Sequence, residues 1–223
     1  MPADVGHYYF NNGVNCLFEM PTSDARRLLP AHLQPLEVQH ERSILSVTAF
    51  DFYKGDGGVY QEAVLAILVP PRVKSGERLP KAALFPFLVG TTTEPSRREG
   101  IDRWRLPHLM QDIEVTFKEG DQCIDISVSA GGDPILEMTA TSYKFEATEM
   151  LFHTFMSDDA GDFVSHVTME GEGYSEHEFE RGSLTLYEHE MTEGLTLDEI
   201  NDYPFREQWL KRGVEKFTSL ISL

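Results

Sequence analysis

Two runs rich in β-branched and aromatic residues, Ile44 to Tyr53 and Val59 to Val69, flank the turn-forming stretch Lys54-Gly55-Asp56-Gly57-Gly58. Such side chains fit a pleated surface, and the glycines give the backbone freedom of a tight connection. The segment 44–69 therefore reads as a β-hairpin, ended by Pro70-Pro71. Further strands are predicted at 82–91, 111–118, 122–129, 135–147 and 183–191, with Glu119-Gly120-Asp121 as a tight turn. Ile113, Val115 and Phe117 alternate with Glu114 and Thr116, the period-2 pattern of a strand with one buried face. A short helix is expected over 22–29, capped by Thr22 or Ser23 and stopped by Pro30. The chain's end reads as helical. Thr196-Leu197-Asp198-Glu199 has the form of a capping box, Pro204 interrupts or restarts the helix, and Leu210, Val214, Phe217 and Ile221 form an apolar stripe at helical spacing. Strands in the middle and helices at the ends predict an α+β fold built on a largely antiparallel sheet or barrel.

The 223 residues show no repeat, low-complexity tract or long linker, so a single domain over 1–223 is expected. No apolar run approaches the roughly 18 residues of a membrane span. The first residues, Met1-Pro2-Ala3-Asp4-Val5-Gly6-His7, lack the basic start and apolar core of a secretory leader, and the expected location is cytoplasmic. Cys16 and Cys123 have no metal-ligand spacing and read as reduced thiols. The net charge of −18 is uneven: residues 1–110 carry 12 acidic and 12 basic side chains, the remainder 25 and 7. An acidic surface of this kind repels phosphate backbones and anionic membranes, so neither nucleic acid nor membrane is an expected partner. A cationic partner or a salt-adapted host would use the charge; a well-solvated surface is the plainer explanation.

Glu62 is the first unusual residue. On a strand, Tyr60, Glu62, Val64, Ala66 and Leu68 share one face, which places a carboxylate among apolar side chains. Buried there, it has to be paired, hydrogen-bonded or protonated, and desolvation would raise its pKa toward the range useful for acid/base work. Exposure of that face at Glu62, or a structural ion pair, is the plain alternative.

Several segments, taken in order, resemble the acetoacetate decarboxylase-like family over most of the chain. They are Arg26-Arg27-Leu28-Leu29-Pro30, Leu36-Glu37, and Tyr60-Gln61-Glu62 leading into Ala66-Ile67-Leu68-Val69. Glu94-Pro95, Gly100 and Leu106-Pro107-His108-Leu109 follow at the family's spacing, then Thr139-Ala140-Thr141-Ser142-Tyr143-Lys144 and Gly182-Ser183-Leu184-Thr185-Leu186-Tyr187-Glu188-His189. The resemblance implies a cone-like, mostly antiparallel β-barrel with flanking helices, a pocket inside the barrel, and a homo-oligomer. The terminal stripe Leu210, Val214, Phe217 and Ile221 would offer a surface for assembly.

The departures from the family carry chemical weight. Its decarboxylases form a Schiff base through the first lysine of an aromatic-Pro-Lys-Lys element. Here that position is His108, followed by Leu109, and imidazole cannot form the iminium that accepts the electrons of decarboxylation. The family's arginine near the first strand falls at Asn11. Glu62 remains. The resemblance thus implies Glu62 and His108 as proton-transfer residues, with Tyr60, Asn11 and Arg105 (Arg103 beside it) as candidates for holding a substrate. A loop or core histidine is the alternative for His108. Lys81, after Pro80, and Lys144 are the candidates for a displaced Schiff-base lysine. His153, His166, His177 and His189 are rivals for a metal site, but lack helical i, i+4 ligand spacing, so no metal and no cofactor is expected.

The expected function is that of a lyase, hydratase or isomerase acting on a small oxo-acid or related carbonyl compound without Schiff-base chemistry. Its competitors are a non-enzymatic small-molecule binding protein on the same fold and a decarboxylase using a displaced lysine. Incubation with acetoacetate and borohydride is expected to leave the protein mass unchanged. A stable adduct on Lys81 or Lys144 in the mass spectrum would contradict this.

Overall fold

The computed structural model describes residues 5–110, 112–142, 144–176 and 181–223. In chain order its elements are β1 (Gly6–Pro21), α1 (Thr22–Leu28), β2 (Arg42–Lys54), β3 (Tyr60–Leu68), β4 (Ala82–Thr91), α2 (Glu94–Trp104), β5 (Ile113–Glu119), β6 (Cys123–Ala130), β7 (Asp133–Thr141), β8 (Glu146–Asp158), β9 (Gly161–Glu176), β10 (Ser183–Leu186), β11 (Arg206–Phe217) and β12 (Ile221–Ser222), with 3-10 turns at Glu190–Thr192 and Leu197–Glu199. Seven strands close into a barrel in the order β11-β1-β2-β3-β4-β8-β9, because β9 pairs back onto β11. Every ladder is antiparallel except β4–β8, a parallel seam of only three residue pairs, Ala82–Phe152, Ala83–His153 and Leu84–Thr154. A second sheet, β10-β7-β6-β5, packs on the outside of the barrel wall. The mostly antiparallel barrel with flanking helices is the architecture expected above. No helix among the described residues is long and apolar enough to cross a membrane.

Period-2 alternation divides the strands into two cores. On β2 and β3, Leu45, Val47, Ala49, Ala63, Leu65 and Ile67 face outward and are buried under the second sheet. Phe50, Phe52 and Tyr60 face inward, joining Tyr8, Phe10, Phe152, Met169 and Phe217 in an aromatic-rich interior. The predicted hairpin pairs Leu45 with Ile67 through Phe52 with Tyr60, so the face shared by Tyr60, Glu62 and Val64 is the inner one.

The C-terminal helix is the main correction, since residues 206–217 form strand β11. Its ladder with β9 shifts register between Lys211 and Val214, and Arg212 has φ of 49°. The bulge inserts a residue into the alternation, so Leu210 and Phe217, seven positions apart, both reach the barrel interior. Apolar residues at i and i+7 then mimic helical periodicity. Leu210 and Phe217 face inward, whereas Val214 is half-buried and Ile221 exposed, so the four residues do not form one continuous face. Smaller corrections concern ends and caps. The strand expected over 183–191 stops at Leu186, and that over 135–147 breaks after Thr141 and resumes at Glu146. Helix α1 begins after Pro21 without a side-chain cap, because Thr22 Oγ1 lies 2.8 Å from Ser43 Oγ. Thr196 precedes a 3-10 turn without capping it by its side chain. Cys16 is buried and Cys123 half-buried, both as free thiols.

The bulge depends on close backbone approach at Gly213. A Cβ there would lie 2.3 Å from Phe10 Cζ and 2.4 Å from the Glu170 carbonyl oxygen. Gly213→Ala is expected to cost about 2 kcal/mol of stability, read as a lowered urea midpoint; an unchanged midpoint would refute the packing account.

Candidate functional site

Two acidic side chains enter the barrel. Glu62 lies on β3 opposite Phe50 of β2 and Thr91 of β4. Glu215 lies on β11, between Tyr8 of β1 and Met169 of β9. It points inward only because of the bulge; an uninterrupted alternation from Leu210 would have turned Val214 and Lys216 in instead. Both carboxyls border a cavity of about 70 Å³, several times the roughly 10–15 Å³ that holds one water. Its wall is mainly apolar, with Val64, Leu84, Phe152 and Met169, and Asn15, Thr48 and Thr154 add polar atoms. A recess of about 20 Å³ adjoins it and shares Glu62, Glu215, Leu106 and Phe217. Tyr8, Tyr60 and Trp104 wall that recess, and Ser96, Glu99 and Gly100 of α2 cover it.

Neither Glu62 nor Glu215 has a hydrogen bond or ion pair among the described residues, and no lysine or arginine lines the cavity or the recess. Burial without compensation pushes the Glu62 carboxyl from its ordinary 4.5 up to about 8. Burial raises Glu215 strongly as well, and the nearby Glu62 charge adds to the effect. Burial followed by the Glu62 charge raises Tyr60, so its phenol stays neutral. Glu99, at the recess rim, is differently placed. It accepts from the Tyr8 hydroxyl at 2.6 Å and from Arg103 at 2.9 Å, and Arg103 also holds Asp56. Trp104 Nε1 donates to the Tyr8 oxygen at 2.6 Å, which ties α2 to β1. Glu207, fully buried outside the barrel, accepts from Gly182 N and from Thr141. It is a satisfied structural carboxylate, unlike the pair in the cavity.

The structure brings Glu62 and Tyr60 together at this site but not the other candidates. His108 is absent from the cavity lining. The loop from Leu106 to Leu109 runs beside β4, with Val89 N bonded to the Pro107 carbonyl and Leu109 N to the Val89 carbonyl. Its alternation sends Leu106 to the cavity and packs the His108 ring against Gly100, where an added Cβ would lie 2.0 Å from Nε2. Neither ring nitrogen has a partner among the described residues, and burial, then the Arg97 charge, lowers His108 to about 4. Asn11 is the residue that both β1 ladders skip; it is exposed and donates to Asp51 at 3.0 Å. Arg103 and Arg105 lie at the end of α2, not on a strand. Arg105 caps the helix in the left-handed region, with φ of 58°, and bonds Asp158 at 2.7 Å.

Neither Lys81 nor Lys144 lines the cavity, and Lys144 pairs with Glu146 on the surface. His153 stacks on His166 at 4.3 Å, whereas His189 accepts from Met191 N in its 3-10 turn. His177 lies outside the described residues, and among those described no cluster of His, Cys, Asp or Glu suits a metal. Sequence reasoning missed Glu215 because it lay on the supposed helix. The usable signal was Gly213 in the middle of the segment 206–217, since a glycine inside a strand often marks a bulge.

The structure resembles an acetoacetate decarboxylase with a TM-score of 0.63 and 14% identity, covering 97% of this chain and 89% of that one. The chain has that enzyme's fold. It is also similar to acetoacetate decarboxylase from Legionella pneumophila (TM-score 0.63, 12% identity, 97% and 87% covered). The enduracididine biosynthesis enzyme MppR, complexed with pyruvate, matches with a TM-score of 0.61 and 10% identity over 100% of this chain and 91% of that one. No protein-family model and no curated protein sequence matches.

The raised Glu62 pKa makes stability pH-dependent with a definite sign. Between about 4.5 and about 8 the folded chain keeps a proton that the unfolded chain has released. This contribution is fully present below about 4.5, is lost progressively as pH rises from there, and is gone once pH has passed through about 8. Glu62→Gln is expected to match wild type near pH 4 and to exceed it by a few kcal/mol, on the order of 1.4 per pH unit, near pH 8. Urea midpoints across that range check it, and parallel profiles would rule it out.

Proposed function

We propose that the protein is an acid/base enzyme, a lyase, hydratase or isomerase, that acts on a small carbonyl compound inside the barrel without a Schiff base. The observation that carries this is the unpartnered Glu62–Glu215 pair facing one cavity. Two coupled carboxyls in apolar surroundings release their protons in separate steps rather than together. Near pH 8 Glu62 becomes available as a base while Glu215 keeps its proton. Glu215 then gives its proton to the carbonyl oxygen as Glu62 removes one from the adjacent carbon, so the enol forms and the negative charge passes from Glu62 to Glu215. That step is common to all three reaction classes. A cavity without lysine or arginine disfavours oxo-acid anions. His108 is left with a packing role against Gly100. The fold shared with acetoacetate decarboxylase, and with an enzyme complexed with pyruvate, supports the reading that the barrel interior receives small carbonyl compounds.

Hydrogen–deuterium exchange at the α-carbon of acetone, propanal and acetoacetate, followed by NMR in heavy water, tests the proposal. Exchange faster than buffer is expected with an uncharged compound, rising toward pH 8, and Glu62→Gln should slow it about 10²–10⁴-fold. No exchange with any of the three, or equal exchange by the variant, would sink it.

A further inference from the structure

The recess differs from the cavity it adjoins in one respect: it joins acids to rings. Four aromatic side chains, Tyr8, Tyr60, Trp104 and Phe217, wall it, and Glu62 and Glu215 open onto it. Glu215 is only 8% exposed, has no partner among the described residues, and is aimed into this space. The positive groups nearby are committed elsewhere. Arg103 holds Glu99 and Asp56, and Arg97 reaches Glu94 and the Thr91 carbonyl. An aromatic enclosure with uncompensated carboxyls is the combination that recognises an organic cation, through cation–π attraction and charge-assisted hydrogen bonds.

Size narrows the class. About 20 Å³ is close to the roughly 10–15 Å³ of a single water, which admits a primary ammonium group and excludes a trimethylammonium head. The adjoining cavity of about 70 Å³, walled by Val64, Leu84, Phe152 and Met169, suits a short carbon chain.

We propose that the barrel interior binds a small primary ammonium compound, its ammonium group in the recess against Glu62 and Glu215 and its chain in the apolar cavity. This rests on the reading of the cavity as the substrate site and narrows the substrate to a carbonyl compound that also carries a primary amine.

Such binding has a signature in protons. The empty pair holds its protons because nothing offsets the buried charge, and a fixed positive charge favours the ionised form. The titratable groups facing the pair do not supply that charge: Tyr8 and Tyr60 stay neutral, and Glu99 is held by Tyr8 and Arg103. Up to about one proton should therefore leave for each ligand bound at pH 7.

Titration calorimetry of the full chain with n-propylamine, in two pH 7 buffers of different ionisation enthalpy, reads both affinity and proton release. Saturable binding with release of up to about one proton is expected. 1-Propanol, propionate and tetramethylammonium should each bind at least about tenfold more weakly, and Glu215→Gln and Glu62→Gln, each checked for folding by its thermal melt, should weaken n-propylamine at least about tenfold. Absent binding, binding unchanged in both folded variants, tighter binding of propionate, or displacement of the amine by magnesium chloride would each overturn the proposal. Amine binding without any α-proton exchange would refute the catalytic reading and leave this one standing. Exchange of uncharged ketones without amine binding would do the reverse.

Discussion

Where β1 and β11 run side by side, their ladder passes over Asn11 and Arg212 and resumes at Phe10 and Gly213. Side chains in a strand alternate strictly, so one skipped residue exchanges the two faces for everything beyond it. Past that break, Tyr8, Phe10, Glu215 and Phe217 all turn into the barrel. The same break leaves Asn11 outside, against Asp51. One local irregularity, held by the close fit of Gly213 to Phe10, therefore decides both the aromatic packing and the second carboxyl of the site.

The buried acids show how differently a fold can treat the same functional group. Glu207 and Glu99 are paid back in hydrogen bonds and hold elements together: β11 to the second sheet, and α2 to β1. Glu62 and Glu215 receive none from the described residues, and burial favours their protonated forms. Structural carboxylates are normally satisfied, and that contrast sets the cavity pair apart.

Much of the architecture was legible in local pattern. The 44–69 hairpin, the face shared by Tyr60 and Glu62 and the strands that build the second sheet follow from alternation and turn residues. The C-terminal strand was not, because its bulge spaces Leu210 and Phe217 as a helix would. Strand β1 was hidden for a related reason, since Asn11 interrupts its pattern. The position of His108 was readable from the family's spacing, but its direction was not. That direction is set by the Val89 bonds on either side of it and by the space over Gly100, both contacts distant in sequence.

The seam between β4 and β8 gives the barrel an asymmetry. Three residue pairs join these strands, whereas β8 and β9 are joined along thirteen and β1 and β2 along twelve. Among the seven barrel strands, this junction has the fewest paired residues, and parting the wall here breaks the shortest ladder. Leu84, Phe152 and Thr154 of this seam also line the cavity. The barrel is thus a cylinder with one loosely fastened stave, and side chains of that stave stand on the wall of the space that holds the two acids.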